Sequence, residues 1–296
     1  MDVAAAANVL SLAAGVEARL TGQGPRWFDG LAGPLARSKW DELRPAGLNR
    51  ANYGTCRFMA SDPGAGRDEI GAVILPDAFG ADAPVIVERL HGAPARRYSE
   101  LGLRYHQPGE LAPERAVEAL QCAFARLAEV PGAARAIGDV LAAVHVVRPD
   151  GPEYDVSCSD PAVPFSIFIG IDAADQKHGD LRLAEGILHE CMHLQLTLIE
   201  EAVPLIAGKA GRYHSPWTGT LRPAQGLLHG LYVFRAIQDF CRRLLSNDCC
   251  SPEERAFLER RVQTIEGEIA EIVQLGASPD LTPAGARFVD GLSRSW

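Results

Sequence analysis

The sequence has no long hydrophobic run, relatively few basic residues and no pair of cysteines at metal-binding spacing. It contains 29 Lys and Arg against 38 Asp and Glu, which gives a formal net charge of −9. A chain with this balance presents no general basic face, so we expect no nucleic-acid partner. No apolar stretch approaches the length of a membrane span, so we expect no membrane partner either.

Cysteine usage and the first residues predict a reduced, cytoplasmic protein. The seven cysteines are odd in number and include no Cys-x-x-Cys pair, so neither a disulfide framework nor a thiolate zinc site is indicated. The segment Met1–Leu10 carries an acidic residue and no basic residue. It predicts an Ala-rich helix over residues 1 to about 20 and not a secretory signal.

The apolar pattern predicts an α+β fold that is mostly helical. Two β-branched runs between Ile70 and Leu90 flank a turn, and Phe165–Ile169 is a further apolar run of strand type. Helical spacing is found in residues 113–129, 131–143, 181–199, 222–237, 251–276 and 281–296. A small sheet therefore precedes the longest helix, and a loop over residues 208–220 leads to a helical C-terminal part.

The strand Phe165–Ile169 comes shortly before the longest helix. If its edge is exposed, this strand would pair with an extended peptide by strand addition. The alternative is a strand that is paired on both sides within its own sheet.

Residues His189–His193 read His-Glu-Cys-Met-His, within the longest helical pattern. A spacing of four places both imidazoles on one face of a helix, close enough to share a metal ion, with Glu190 beside them. The alternative is a chance pair of core histidines. Burial of two histidines and a glutamate in an apolar helix would be costly without a partner, and the motif therefore predicts a metal site.

A third ligand is needed, and His229 is the candidate. It lies in a second helical segment, in which Pro223 suits the first turn. Gly226 and Gly230 flank it and predict the close approach of another helix, because two glycines otherwise cost helix stability. The alternative for His229 is a buried histidine bonded to a backbone carbonyl.

Two other histidines are predicted to lie in a strand and in a loop. His145 alternates with valines in a predicted strand and therefore belongs to the core or to a sheet face. His106 lies in the segment Tyr98–Gln107 with Arg104 and Tyr105. We interpret this segment as an ordinary loop, with a surface contact as the alternative.

A succession of motifs between about residues 150 and 240 resembles a known family. The motifs are Asp-Val-Ser-Cys-Ser-Asp-Pro from Asp155, the strand Phe165–Ile169, Leu-His-Glu-Cys-Met-His from Leu188, Tyr-His-Ser-Pro-Trp from Tyr213, Arg222-Pro223, and Gly-Leu-Leu-His-Gly-Leu-Tyr-Val-Phe from Gly226. They resemble the His-Glu-x-x-His proteins that modify ribosomally made natural-product precursor peptides, a family of Fe(II)- and 2-oxoglutarate-dependent peptide β-hydroxylases. The His-Glu-x-x-His piece is shared with many zinc peptidases, whereas the later motifs are more specific.

The resemblance implies a zincin-like metal helix in which His189, His193 and His229 bind Fe(II). Three protein ligands leave open positions for 2-oxoglutarate and O₂, although the usual triad of such enzymes has a carboxylate where this chain has a third imidazole. The expected reaction is hydroxylation of a side-chain β-carbon in a precursor peptide. Residues 151–296 would form the catalytic region, and residues 1–150, across a soft boundary, a mixed region for substrate recognition.

The second carboxylate of 2-oxoglutarate would need a charged partner inside the protein. Arg222 is the candidate, because it begins the segment that carries His229. Arg182, seven residues before His189, is the rival, and either arginine has an alternative interpretation as a solvated surface residue. Tyr213 would add a hydroxyl group to the cofactor-binding set.

Two other functions compete with this hypothesis. In a zinc metallopeptidase, Glu190 would be the catalytic base that activates a zinc-bound water. A catalytically silent, metal-containing partner that binds the peptide is the third hypothesis. In the oxygenase no such base is required, and Glu190 would orient the site.

Overall fold

The structure is a computed structural model, and it describes residues 14–15, 32–43, 65–151, 155–172, 177–208, 210–247 and 250–294. Most of the predicted helix over residues 1–20 lies outside the described residues. The fold is mixed α and β, with a small sheet followed by a helical C-terminal part, which confirms the coarse expectation. The chain divides into two compact units, one of Ala36–Leu194 and one of Met1–Leu35 with Gln195–Trp296.

The unit Ala36–Leu194 contains a five-stranded sheet. Its strands are β1 (Ala65–Val73), β2 (Val85–His91), β3 (Ala143–Val147), β4 (Ser157–Cys158) and β5 (Ser166–Gly170), in the order β1-β2-β3-β5-β4. Strands β2, β3 and β5 are parallel, whereas β1 and β4 pair antiparallel at the two edges. Of the two alternatives for Phe165–Ile169, the strand paired on both sides is the one observed, because the chain before β5 folds back as β4.

Six of the eight described helices correspond to predicted helices, with the largest differences at the C-terminal ends of the predicted segments 222–237 and 251–276, whereas the helices Ala32–Leu43 and Gly92–Glu100 were not predicted. The described helices are α1 (Ala32–Leu43), α2 (Gly92–Glu100), α3 (Pro113–Ala128), α4 (Pro131–Val140), α5 (Gly179–Ala202), α6 (Ala224–Leu245), α7 (Pro252–Ala270) and α8 (Pro283–Ser293), with short 3₁₀ turns at Asp77–Phe79 and Val273–Ala277. Helix α7 begins with a capping box in which Ser251 and Glu254 bond each other's backbone N–H groups. None of the described helices is both long enough and apolar enough to cross a membrane.

The centre of the sheet is buried on both faces, as expected of parallel strands. All five residues of β3 are buried, and so are the first four of β5. His145 is fully buried in β3, and its Nδ1 lies 3.1 Å from a carboxylate oxygen of Glu88 in β2. The prediction of a core position for His145 is confirmed.

Helix α5 buries most of its surface but leaves one stripe partly accessible. Arg182, Gly186, His189 and His193 are all half-buried, whereas Ile187, Leu188 and Glu190–Met192 between them are buried. Their spacing of four, three and four residues is that of a single helix face. The two motif histidines therefore lie on the face of α5 that a ligand can reach.

The segment predicted as a loop over residues 208–220 contains a β-hairpin instead. Strands β6 (Tyr213–Ser215) and β7 (Thr220–Arg222) pair antiparallel. The hairpin also explains the glycines of α6: a Cβ on Gly230 would lie 2.2 Å from the Trp217 ring, and one on Gly226 would lie 3.2 Å from Arg222 Nε. The expectation that Gly226 and Gly230 admit another helix is wrong; they admit side chains of the hairpin.

We expect Gly138→Ala to lower the free energy of unfolding by about 1–3 kcal/mol, since the new methyl group would overpack the core. A Cβ at Gly138 in α4 would meet the carbonyl oxygen of Phe79 at 2.1 Å. Gly267 in α7 is the matched control, because nothing lies within 4 Å of its Cβ position. Gly267→Ala should raise stability by up to about 1 kcal/mol. Urea unfolding measures both, and equal effects of the two substitutions would contradict this packing.

Candidate metal centre

The two motif histidines point their outer ring nitrogens at each other. His189 Nε2 and His193 Nε2 are 3.2 Å apart, with the ring planes at 65°. Zinc-nitrogen bonds of about 2.0–2.1 Å at a tetrahedral angle would place two ligand nitrogens about 3.3 Å apart. The two imidazoles therefore already have the separation that one shared metal ion requires.

Glu190 is buried beside this pair and is bonded through both carboxylate oxygens. Ser157 Oγ donates to Oε1 at 2.6 Å, and Ser159 Oγ donates to Oε2 at 2.8 Å. The same Oε1 is 3.8 Å from His189 Nε2, and Glu190 is only 3% exposed. Two serine hydroxyls therefore fix the carboxylate next to the His189 nitrogen that faces His193.

The chain through edge strand β4 bonds to α5 at every second residue. Asp155 accepts a hydrogen bond from Arg182 Nε at 3.0 Å, and Ser157 and Ser159 bond Glu190. Alternate residues of an extended chain point to one side, which explains why these three face the helix. Asp160, out of this alternation, instead accepts a hydrogen bond from the Tyr98 hydroxyl at 3.1 Å.

Burial sets the electrostatics of Glu190. Loss of solvent raises the pKa of its carboxyl from 4.5 to about 7, although the hydrogen bonds from Ser157 and Ser159 act in the opposite direction. A divalent cation on His189 and His193 would stabilise the carboxylate and lower this pKa again. A metal ion at the histidine pair and a charged Glu190 would therefore stabilise each other.

The predicted third ligand, His229, belongs to the other compact unit. His229 Nε2 lies 3.1 Å from a carboxylate oxygen of Glu200, which also accepts a hydrogen bond from Gln225 at 3.1 Å. Among the residues that the structure describes, no group of three or more His, Cys, Asp or Glu side chains is arranged to hold a metal ion. The role of His229 as a ligand stays a prediction.

The residues predicted to bind 2-oxoglutarate also lie in the unit of His229. Arg222 is exposed at the end of β7 and lies against Gly226. The Tyr213 hydroxyl is 2.6 Å from Ser278 Oγ and donates to Asp280 at 3.3 Å. Both assignments stay predictions, and the hydroxyl of Tyr213 would have to exchange these bonds to meet a ligand.

A pocket of about 300 Å³ lies along the accessible face of α5, on the N-terminal side of the histidine pair. Its lining comes from α3, from the segment before β4, from the end of β5 and from the first residues of α5. Ser157, which bonds Glu190, is part of this lining, and so is Arg182. The sequence indicated Arg182 only as the rival of Arg222 for binding 2-oxoglutarate, and it indicated no role for Ser157 and Ser159. The alternate spacing of these two serines was the signal that could have identified them as partners of one side chain.

His106 lies in a loop, as predicted, but its side chain is buried next to a residue of this pocket. It is 7% exposed, and its Nε2 lies 2.9 Å from the carbonyl oxygen of Ile171, a residue that lines the pocket. Burial lowers the pKa of His106 below its usual 6.5. The neutral ring can donate one N–H to this carbonyl, which fixes the chain after β5.

We expect Ser157→Ala and Ser159→Ala each to weaken metal binding by about 10- to 100-fold, the usual effect of removing a group that orients a metal site. Each change removes one donor to the buried Glu190 carboxylate, which is then harder to keep charged. Metal titration of the apoprotein measures the affinity. Ser166→Ala is the control, because Ser166 is also buried but donates to Val163 O at 3.0 Å; an equal loss in all three variants would contradict a specific role.

His106 should make the apoprotein less stable as pH falls below 6.5. Its pKa is lowered in the folded state, so its contribution to stability is complete above the unfolded-state pKa of about 6.5 and is lost as pH falls through the folded-state pKa. His106→Gln should flatten this part of the pH profile in thermal unfolding between about pH 5 and 7.5. His91→Gln is the control, because the His91 side chain is 54% exposed; a profile unchanged by His106→Gln would contradict the assignment.

Comparison with known proteins leaves the family of this chain open. No family model matches it, and no curated protein matches it. The function is therefore inferred from the histidine pair, the buried carboxylate and the adjacent pocket.

Proposed function

We propose that the chain is an Fe(II)- and 2-oxoglutarate-dependent hydroxylase that acts on a side-chain β-carbon of a ribosomally made precursor peptide. The observation that carries the proposal is the pair His189 and His193, whose nitrogens are 3.2 Å apart beside a carboxylate bonded at both oxygens. The reaction and the peptide class follow from the family resemblance of the motifs.

The order of elements supports a zincin-like metal helix. Strand β4 is an antiparallel edge strand, β5 is its parallel-sheet neighbour, and α5 with the His-Glu-x-x-His motif follows. This order brings the edge of a sheet next to the metal helix, where hydrogen bonds from β4 hold Glu190.

In the proposed enzyme His189 and His193 hold the metal, and His229 supplies the third ligand that the sequence predicts. Imidazole ligands suit iron and zinc alike, so the ligands alone do not choose between an oxygenase and a peptidase. Bound iron would supply oxygen activation together with the keto acid. Glu190 would orient His189 and supply a fixed negative charge next to the metal.

The hydrogen bonds of Glu190 favour this role over that of a general base. A base must reach the proton that it abstracts within about 2.6–3.2 Å, whereas each oxygen of this carboxylate already accepts a serine hydroxyl. A carboxylate held in this way is suited to positioning. A movement of the carboxylate toward a water on the metal would lengthen these charge-assisted hydrogen bonds.

A zinc metallopeptidase is the second candidate, and one observation favours it. Glu190 Oε1 lies 3.8 Å from His189 Nε2, so the carboxylate is close to the place that a water on the metal would occupy. In that enzyme Glu190 would take a proton from a metal-bound water. The two candidates therefore differ in what Glu190 does.

Glu190→Gln separates the two candidates. We expect this variant to bind metal and to keep measurable peptide-dependent turnover, because an amide of the same shape retains the position between the two serines. Anaerobic purification with metal analysis, followed by succinate formation with and without the precursor peptide, measures both properties. Metal-dependent peptide cleavage that Glu190→Gln abolishes, without succinate in either protein, would establish the peptidase instead.

The ligand set is tested by metal content in His189→Ala, His193→Ala and His229→Ala. Each should lose bound metal, since each would remove one of three protein ligands. His214→Ala is the matched control, because the His214 side chain is 56% exposed. Full metal occupancy in His229→Ala would place the third ligand elsewhere and leave the histidine pair of α5 intact.

A further inference from the structure

We propose that Glu200 is a positioning residue for His229: it holds the ring so that Nε2 carries the hydrogen and Nδ1 is the atom that binds a metal ion. Glu200, near the end of α5, and His229, in α6, belong to the same compact unit. That His229 binds a metal ion at all rests on the proposed function. The tautomer of its ring does not depend on that function.

Glu200 and His229 form a close and mostly buried pair. His229 Nε2 lies 3.1 Å from Glu200 Oε2, and each of the two side chains is only 16% exposed. Gln225, which lies one turn before His229 in α6, donates to the same carboxylate oxygen at 3.1 Å. Two groups from successive turns of α6 therefore hold the Glu200 carboxylate against that helix.

The carboxylate determines which nitrogen of His229 carries the hydrogen. Glu200 Oε2 accepts the amide of Gln225, and an ionised carboxylate has no hydrogen to donate. The neutral ring of His229 can therefore bond to Glu200 only as the tautomer with its hydrogen on Nε2. Nδ1 then has the lone pair that a metal ion needs, since the hydrogen bond at one ring nitrogen sets the role of the other.

The second carboxylate oxygen of Glu200 indicates that this charge needs further compensation. Glu200 Oε1 is buried and meets no hydrogen-bond donor among the residues that the structure describes. A buried carboxylate is costly unless donors or positive charge compensate it. A metal ion on the other nitrogen of the His229 ring would supply positive charge, in the carboxylate–histidine–metal chain that is common at metal sites.

Helix periodicity relates Glu200 to the two motif histidines. Glu200 follows His193 by seven residues in α5, and this spacing returns to the same face of a helix. The carboxylate that holds His229 therefore belongs to the face of α5 that carries His189 and His193. Two turns correspond to about 10 Å along the helix axis, which is too far for Glu200 and His193 to bind one ion directly, so Glu200 would act through the ring of His229.

The tautomer is measured by long-range ¹H–¹⁵N NMR of the full-length apoprotein at about pH 8, above the usual His pKa of about 6.5. His229→Gln identifies the ring signals of His229, because they are absent from the spectrum of that variant. We expect His229 to carry its hydrogen on Nε2. A ring with its hydrogen on Nδ1 would overturn the proposal, whether or not the protein binds a metal ion.

The ligand atom is measured by adding cadmium-113, a diamagnetic substitute for Fe(II), to the ¹⁵N-labelled protein. We expect coupling of the cadmium nucleus to Nδ1 of His229 and to Nε2 of both His189 and His193, whose Nε2 atoms face each other at 3.2 Å. Coupling to Nε2 of His229, or coupling to the two motif histidines without His229, would overturn the proposal. Burial of His229 for packing alone would give no coupling to either of its nitrogens.

Substitution of Glu200 tests its role as the positioning group. Glu200→Ala should raise the Kd for cadmium by about 10- to 100-fold, the usual effect of removing a group that orients a metal ligand. Glu200→Gln should lose less affinity and keep the hydrogen on Nε2, because an amide oxygen still accepts from that nitrogen. Glu201→Ala is the matched control, since it removes the same charge from the adjacent, exposed position. Equal losses in Glu200→Ala and Glu201→Ala would overturn the proposal, and the coupling in the unchanged protein decides if Glu200→Ala does not fold.

Failure of this proposal and failure of the proposed hydroxylase give different results. Cadmium bound through Nδ1 of His229, without succinate formation by the iron-loaded protein, would contradict the hydroxylase but not the role of Glu200. Succinate formation by a protein in which His229 binds through Nε2 would contradict the role of Glu200 but not the hydroxylase. Full cadmium affinity in His229→Gln would overturn the role of Glu200 toward the metal and place the third ligand elsewhere.

Discussion

The hydrogen bonds from Ser157 and Ser159 to the buried Glu190 carboxylate are the constraint on which the site depends. A buried carboxylate without donors would be driven to protonate or to leave the interior. These two donors keep it in place and at the same time attach the edge of the sheet to the helix that carries His189 and His193. The orientation of the histidine pair is therefore coupled to the position of β4.

This coupling gives the raised pKa of Glu190 a chemical meaning. Burial raises the pKa of this carboxyl to about 7, and a cation between the imidazoles beside it would offset the cost of keeping it charged. A metal ion would therefore bind more strongly here than to two imidazoles alone. Under the proposed function, burial of Glu190 and metal affinity are two aspects of one arrangement.

The helices and strands could be predicted from the sequence wherever the periodic spacing of apolar residues extends over enough positions. The helix of residues 179–202, the strands of the parallel sheet and the capping box at Ser251 are of this kind. The β6–β7 hairpin was not, because each of its strands has three residues. Gly226 and Gly230 correctly indicated a close approach, but a glycine does not tell which group approaches, and here it is the hairpin.

Only those contacts of the site that lie within one helix could be predicted from the sequence. A spacing of four residues fixes the relation of His189 to His193 within one helix, whereas Ser157 is 33 residues from Glu190 and their contact depends on the pairing of β4. The chain could also not show which arginine lies in a pocket, since Arg182 and Arg222 are both charged residues near predicted helix starts. Burial separates them: one is 16% exposed within a pocket, the other exposed on a hairpin.

The choice between an oxygenase and a peptidase depends on what must bind beside the metal. A hydrolytic site needs a water and a base that is free to take its proton. The proposed oxygenase needs instead a carboxylate that stays in place beside the metal and orients its ligands. The hydrogen bonds from Ser157 and Ser159 to both oxygens of Glu190 suit a carboxylate that stays in place. Glu190 therefore distinguishes the two proposed functions, since only the peptidase requires it to take up and release a proton.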